Sequence, residues 1–531
     1  MSTKPAPRLS RYALGVAGLT VLALVVRLAA GFAHHAMVPE YAAYYTTVAE
    51  ELARGNGLTV PYAWSYLTSA VANGLALPRP AFDVWLPMAS FVAAPFVRLF
   101  GGDGASRVAG ALAGAALVPL TAMLARRAAL SAGRAARDAD LLALVAAALI
   151  AVSQPLVTGS ISSDSQALFG VTVLAAVLAV NRAADTGRWR DIALAGLVLG
   201  AGMLTRNETA YLAVGAAFVV GRRAGVGRAL GLAAVAAACY APWALRQWLV
   251  FGTPMPGQTA ANAFSLSPLD IFGWSAPAPS LGVYLAAGPA ALLDQRVTAL
   301  GHNLFDVLLG PALPWSVVGL LGVVLLWRAR PMRLLILTSL AIVAADTLVF
   351  PVATLFGTFL HGSAPVLALL AIGAAEVAWR VIIAAVRFDA ARELLTARAA
   401  CGFAAAITVG VLLVNTATGA QAYAAWANGV PARYAALADG LVTAGLGDAV
   451  VIASHPAWTW RVAGHASVVL PDEDAASILS LAKAYGATVL AVDGTDGPWP
   501  DAAATTSCLT PIELPAAAAP LTAFRVVCTT P

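Results

Sequence analysis

Eight ionisable side chains lie at or just beyond the ends of apolar runs in this sequence: Arg27, Glu40, Asp164, Arg206, Glu208, Arg246, Asp346 and His361. A charge at such a place is expensive and usually lines a polar cavity or path. As a set, the eight are expected to form one cavity holding both acids and bases. Taken singly, each has a plainer reading as an interfacial anchor or a paired structural charge. Glu40 opens the segment Glu40-Tyr41-Ala42-Ala43-Tyr44 directly after the first apolar run. A carboxylate there suits a general base acting on a hydroxyl or amine nucleophile. The alternative is a favourable acid at a helix N-terminus. Asp164, in Ser162-Ser163-Asp164, is a second acid with the same alternative, and Asp83 is either an acid or a helix cap. Arg206, in Thr205-Arg206-Asn207-Glu208, and Arg246, in Pro242-Trp243-Ala244-Leu245-Arg246, carry planar forks suited to bidentate phosphate contacts. The competing reading is a salt bridge, such as Arg206 with Glu208. His34 and His35 are adjacent, a poor spacing for joint metal ligation, so no metal is assigned.

The elements that must position these groups follow from composition. Of 531 residues, 60% are hydrophobic and 11% charged, against about 25% charged in a soluble domain. Mean hydropathy is +0.79. This excludes a disordered chain, a coiled coil and a cytosolic enzyme, and leaves a polytopic helical membrane protein. Apolar runs fall near 12–33, 104–125, 140–157, 166–181, 191–205, 209–221, 229–248, 308–327, 334–350, 360–379 and 399–418, about eleven spans. Arginine clusters at 126–137, 182–190, 222–228, 328–333 and 380–398, with Lys4, Arg8 and Arg11, all fall on one side if the spans alternate. The positive-inside rule makes that side cytoplasmic. The eight candidate groups then face outside.

Two external loops result, 34–103 and 251–306, and helical spacing at 41–54 and 84–100 predicts helices lying at the interface. Residues 419–531 carry four Lys/Arg and nine Asp/Glu, the reverse of the remaining chain. Short buried strands are expected at 450–453, 467–470 and 489–492, with a helix near 473–485, giving a small extracytoplasmic α/β domain. No Gly-rich phosphate fingerprint occurs, so no nucleotide cofactor is expected. Cys508 and Cys528 share that domain, where a disulfide is permitted but spacing does not decide pairing.

Four stretches, in order, resemble the GT-C fold integral-membrane glycosyltransferases, the class of protein O-mannosyltransferases and lipid A aminoarabinose transferases. They are Arg27 through Glu40-Tyr41-Ala42-Ala43-Tyr44-Tyr45 with Leu52-Ala53-Arg54-Gly55-Asn56-Gly57; Trp85-Leu86-Pro87 through Leu99-Phe100-Gly101 and Ser106-Arg107-Val108; Leu204-Thr205-Arg206-Asn207-Glu208; and Pro242-Trp243 with Arg246 and Phe251-Gly252-Thr253-Pro254-Met255-Pro256. The resemblance covers about the first 260 residues well and the rest by layout. The family usually has Asp where this chain has Glu40, which moves the carboxylate by about one methylene. The resemblance implies transfer of a sugar from a polyprenyl-phosphate donor to a lipid, glycan or protein acceptor outside the cell membrane. It implies Glu40 as base, Asp164 as a second acid positioning the acceptor, Arg206 and Arg246 on the phosphate, and Arg27, Tyr44, Glu208 and His361 around the substrates. A secondary transporter or a non-catalytic assembly protein are the other classes open to such a chain; no internal repeat of the kind transporters show is evident.

A cysteine placed at Ser480 is expected to react with membrane-impermeant reagents only from outside the cell. Labelling only from the cytoplasm would invert the topology.

Overall fold

The computed structural model describes residues 10–33, 39–66, 76–255, 260–267, 269–275, 279–386, 397–494 and 507–528. The first half runs α1 (Arg11–Phe32), α2 (Glu40–Arg54), β1 (Thr59–Val60), β2 (Tyr62–Ala63), β3 (Arg79–Pro80), α3 (Met88–Phe100), α4 (Gly102–Ser131), α5 (Ala136–Ala151), α6 (Gln154–Thr158), α7 (Ser165–Thr186), α8 (Trp189–Met203), α9 (Thr209–Ala224) and α10 (Val226–Phe251). Among the described residues six helices are long and apolar enough to cross a membrane: α1, α4, α7, α10, Arg330–Leu348 and Ala364–Ala384. A seventh span exists if Gly288–Ala312 and Trp315–Leu326, bent by 110°, are counted as one. The expected runs at 140–157, 191–205 and 209–221 form α5, α8 and α9, of 16, 15 and 16 residues. At 1.5 Å per residue these reach about 24 Å, short of a hydrocarbon core of about 30 Å. The run at 399–418 lies within a 47-residue helix, Ala397–Thr443, which continues unbroken past residue 419.

Small residues let these helices approach closely, the usual device where no water drives helices together. Gly319 and Gly322 of Trp315–Leu326 face Leu370 and Gly373 of Ala364–Val386. A Cβ on Gly322 would stand 2.1 Å from the Gly373 carbonyl oxygen. The same device threads the irregular segment 159–164, between α6 and α7, against α1 and α4. A Cβ on Gly31 would meet the Ile161 carbonyl, and one on Gly110 the Ser162 carbonyl. Polar backbone in such a place must be satisfied by protein. Ser106 Oγ accepts from the Ser163 N–H, and Ser163 Oγ donates to Ala89 O.

The C-terminal sheet holds β4 (Val450–Ala453), β5 (Ser467–Val469), β6 (Ala487–Asp493), β7 (Leu509–Ile512) and β8 (Leu521–Val526), in the order β2-β5-β4-β6-β8-β7. The three expected strands and the helix, here Ala475–Tyr485, are present. The strand β2 was not expected. It comes from the loop after α2 and pairs parallel with β5, Tyr62 opposite Ser467. The loop after α10 docks on the same domain, where the Glu473 carboxylate accepts from the backbone N–H groups of Trp274 and Ser275. Cys508 and Cys528 form a disulfide, Cα–Cα 5.0 Å, joining the start of β7 to the end of β8.

Gly322→Leu is expected to destabilise the bundle by at least the 1–3 kcal/mol typical of overpacking, because the obstacle is backbone. A thermal melt of the solubilised protein would show it. An unchanged melting temperature would mean the two helices are not closely packed.

Candidate active site

The helix α2 starts at Glu40, whose carboxylate is taken up by the C-terminal domain. Its Oε1 accepts the Ala457 N–H at 2.8 Å and its Oε2 lies 3.0 Å from His455 Nδ1. An ionised carboxylate only accepts, so Nδ1 carries the proton in this pair. His455 and Ala457 sit at the start of the short helix Pro456–Arg461, immediately after β4. One residue on, the Tyr41 ring meets the His361 ring edge-on, centroids 4.2 Å apart. His361 Nδ1 in turn lies 3.0 Å from Asp164 Oδ2. Asp164 is the N-cap of α7, and its other oxygen accepts the Ser165 N–H. Two carboxylate–imidazole pairs therefore stand side by side at one end of the bundle.

Arg206 joins this group. Its Nε donates to Glu208 Oε1 at 2.9 Å, its Nη1 to Ser165 Oγ at 3.3 Å and its Nη2 to the Thr358 carbonyl at 2.9 Å. The salt bridge foreseen as the plainer reading is present, yet the same guanidinium reaches toward the Asp164 cap. Asp346 is buried beside the pair, with Oδ2 making no hydrogen bond to any described residue. A methyl on Gly362 would lie 3.4 Å from Glu208 Oε1 and 3.7 Å from Asp346 Oδ2, so both carboxylates converge there. Glu40, Asp164, Arg206, Glu208, Asp346 and His361 thus form one continuous neighbourhood.

The other sequence candidates do different work. Arg27, expected in the cavity, is wholly buried. It donates to Ala23 O, Ile150 O, Ala151 O and Ser160 Oγ, closing the C-terminal end of α5 and pinning the segment that leads to Asp164. Tyr44 is also buried; its hydroxyl accepts the Phe82 N–H at 2.7 Å and its ring packs on Tyr62, Phe82 and Trp85. Burial pushes that phenol well above its ordinary range, so it stays protonated. Arg246 shares no hydrogen-bond partner with Arg206. It donates to Ala81 O at 2.8 Å and Leu58 O at 3.4 Å and stacks on Trp243 and Phe251, holding the residues that flank β1 and β3. Asp83 is not a helix cap but forms a buried ion pair with Arg79 at 3.1 Å. His34 and His35 lie outside the described residues. Among the described residues no group of three or more His, Cys, Asp or Glu is placed to hold a metal.

Sequence reasoning missed His455 and Arg461. Arg461 reaches Glu50 Oε1 at 3.1 Å, Thr47 Oγ1 at 3.1 Å and Asp103, tying the C-terminal domain to α2 and α4. Burial lowers its pKa, but Asp103 and Glu50 outweigh that and hold it above its ordinary value. A signal did exist. Ser454-His455-Pro456 follows an expected strand, proline at a first helical position marks a helix start, and the carboxyl ends of parallel strands are common places for sites.

The family model for dolichyl-phosphate-mannose-protein mannosyltransferase matches residues 79–245, a segment holding Asp164, Arg206 and Glu208 but not Glu40 or His361. Among solved structures the chain resembles ArnT from Cupriavidus metallidurans in the apo state, with TM-score 0.54 and 15% identity over 97% of this chain and 98% of that one. ArnT bound to undecaprenyl phosphate gives TM-score 0.54 and 14% identity over 97% and 99%. The archaeal oligosaccharyltransferase AglB from Archaeoglobus fulgidus, in complex with an inhibitory peptide and a dolichol-phosphate, gives TM-score 0.54 and 13% identity over 91% of this chain and 69% of that one. A comparison with curated proteins finds no match. The chain is a multi-pass membrane protein with the GT-C-like fold of membrane glycosyltransferases.

Arg461→Gln would leave Glu50 and Asp103 without their shared cation. All three side chains are half-buried, so their loss of contact should loosen the hold of the C-terminal domain on α2 and α4 while its other contacts remain. Limited proteolysis should then release residues beyond 443 faster than in the unaltered chain; an unchanged digestion pattern would show that Arg461 does not hold the domain.

Proposed function

We propose that this protein is a glycosyltransferase that moves a hexose or pentose from a polyprenyl-phosphate-linked donor to an acceptor on the extracytoplasmic face. The observation that supports this reading is the convergence of two carboxylate–imidazole pairs and Arg206 at one end of a GT-C-like bundle, beneath a small sheet domain. The reaction breaks the bond between the anomeric carbon and the phosphate oxygen. The polyprenyl phosphate leaves with the electron pair, and the acceptor loses a proton as its oxygen or nitrogen bonds to the sugar.

Each part has a candidate here. Glu40 takes the acceptor proton, with His455 and the Ala457 N–H orienting its carboxylate. Arg206 receives the negative charge developing on the phosphate, at the position where its Nη1 now meets Ser165. Donors fixed in advance of the reaction are the strongest form of such stabilisation. Asp164, aligned by His361, positions the acceptor. Glu208 holds the Arg206 fork in place. Arg27, Tyr44 and Arg246 serve by fixing the backbone around these groups.

Purified protein should be tested with polyprenyl-phosphate mannose and polyprenyl-phosphate aminoarabinose, reading release of polyprenyl phosphate in the presence of envelope lipid extract. Glu40→Gln keeps an oxygen for the Ala457 N–H but removes the base, so turnover should fall about 10²-fold or more with the membrane-inserted yield unchanged. Normal turnover by Glu40→Gln would pass the base role to Asp164. Transport of a solute into liposomes with no sugar release from either donor would favour a transporter instead.

A further inference from the structure

The ends of α4, α7 and α9 far from the candidate active site border an open cavity of about 660 Å³. It is lined by Arg127 of α4, Asn181, Arg182 and Asp185 of α7, Arg223 of α9, and Arg330 in the turn Arg330–Met332. Ser165 and Arg182 are about 26 Å apart along α7 at 1.5 Å per residue, so the two sites occupy opposite ends of the bundle.

The charges there do not balance. Arg223 Nη1 pairs with Asp185 Oδ1 at 2.9 Å. Arg182 Nε pairs with Asp191 Oδ1 at 2.8 Å, and Thr186 donates to the other Asp191 oxygen. Arg127 is half-buried and, among the described residues, reaches only the Leu178 carbonyl, at 3.4 Å. Arg330 has no ion-pair partner among the described residues, although the turn that carries it is held by Asn181 Nδ2 donating to Pro331 O. Among the described residues, four guanidinium groups thus meet two carboxylates, and the surplus of two faces one cavity. The positive-inside rule explains why arginines gather at this end. It does not require that arginines from three helices and a turn share a cavity with half of them lacking a counter-ion among the described residues.

We propose that this cavity binds a phosphate-bearing anion, with Arg127 and Arg330 supplying the uncompensated charge. Two guanidinium forks suit the several oxygens of a phosphate, which takes parallel N–H bonds from each. The volume falls within the range of small-molecule sites. The cavity lies at the ends of apolar helices, and basic pockets between membrane helices are known to hold anionic lipid headgroups. A soluble phosphate ester offers the same chemistry.

The unaltered protein, the double variant Arg127→Gln/Arg330→Gln and a control pair, Arg190→Gln/Arg328→Gln, would be compared. The control removes the same charge at the same end but outside the cavity. Native mass spectrometry after exchange into equal phosphatidylglycerol and phosphatidylcholine reads the lipid arm, and calorimetric titration with inorganic pyrophosphate reads the soluble arm. The expected result is binding by the unaltered protein in at least one arm, weakened at least tenfold in the double variant and unchanged in the control. Binding in the lipid arm alone assigns the site to a headgroup, and binding of pyrophosphate assigns it to a soluble ester. Absence of both, or an equal loss in the control pair, overturns the proposal. Should the double variant not fold, Arg330→Gln alone, whose side chain is exposed, carries the test with a several-fold loss expected.

Discussion

A carboxylate removed from water must take its partners with it, and at Glu40 those partners come from 415 residues further along the chain. The Ala457 N–H and His455 occupy both oxygens. Arg461, one short helix away, bridges Glu50 and Asp103. The strand β2 continues the join by adding Tyr62 and Ala63 to the C-terminal sheet. Electrostatics and backbone pairing thus act together on one surface. The helix α2 is held on one side by α3 and α4 and on the other by the C-terminal domain, and the domain's sheet is completed by the loop that follows that helix. The candidate site is a joint between two parts of the chain, and its geometry depends on both.

A second constraint acts below that joint. An irregular segment inside an apolar bundle leaves backbone groups that lipid does not satisfy. Residues 159–164 are such a segment, and the chain meets the demand with side chains. Arg27 closes the carbonyls of Ile150 and Ala151 and grips Ser160. Ser106 takes the Ser163 N–H. Glycines at 31 and 110 supply the room. The result is that Asp164 emerges at the start of α7 with its carboxylate directed at His361 and next to Arg206 through Ser165. Arg27 therefore bears on the chemistry through position, although no face of it meets the site.

The two ends of the bundle carry contrasting charge arrangements. At the candidate site Glu40 and Asp164 each face an imidazole and Glu208 faces the Arg206 guanidinium, while Asp346 lies beside them with one oxygen unbonded to any described residue. At the far end, Arg127 and Arg330 line an open volume with no ion-pair partner among the described residues. The same helices, α4, α7 and α9, connect both.

Much of this was legible in the residues alone. Burial in lipid is enforced residue by residue, so apolar runs and the arginines between them mark the helices, and α1, α4, α7 and α10 appear close to where they are expected. Apolar β-branched runs marked β4, β5 and β6 for the same local reason. Asp164, Arg206, Glu208, Asp346 and His361 stood out because each breaks an apolar pattern, and the fold brings them together. Arg27, Tyr44 and Arg246 broke the pattern in the same way and proved to be braces. A polar residue at the end of an apolar run has one signature whether it faces a cavity or an orphaned carbonyl, and only the approach of Ile150, Phe82 or Ala81 decides between them. His455 and Arg461 carried no such signature, because in a soluble α/β domain a histidine or arginine is unremarked. Their role exists only once the sheet domain closes over α2, where a buried carboxylate requires a donor that its own neighbourhood in the sequence does not contain.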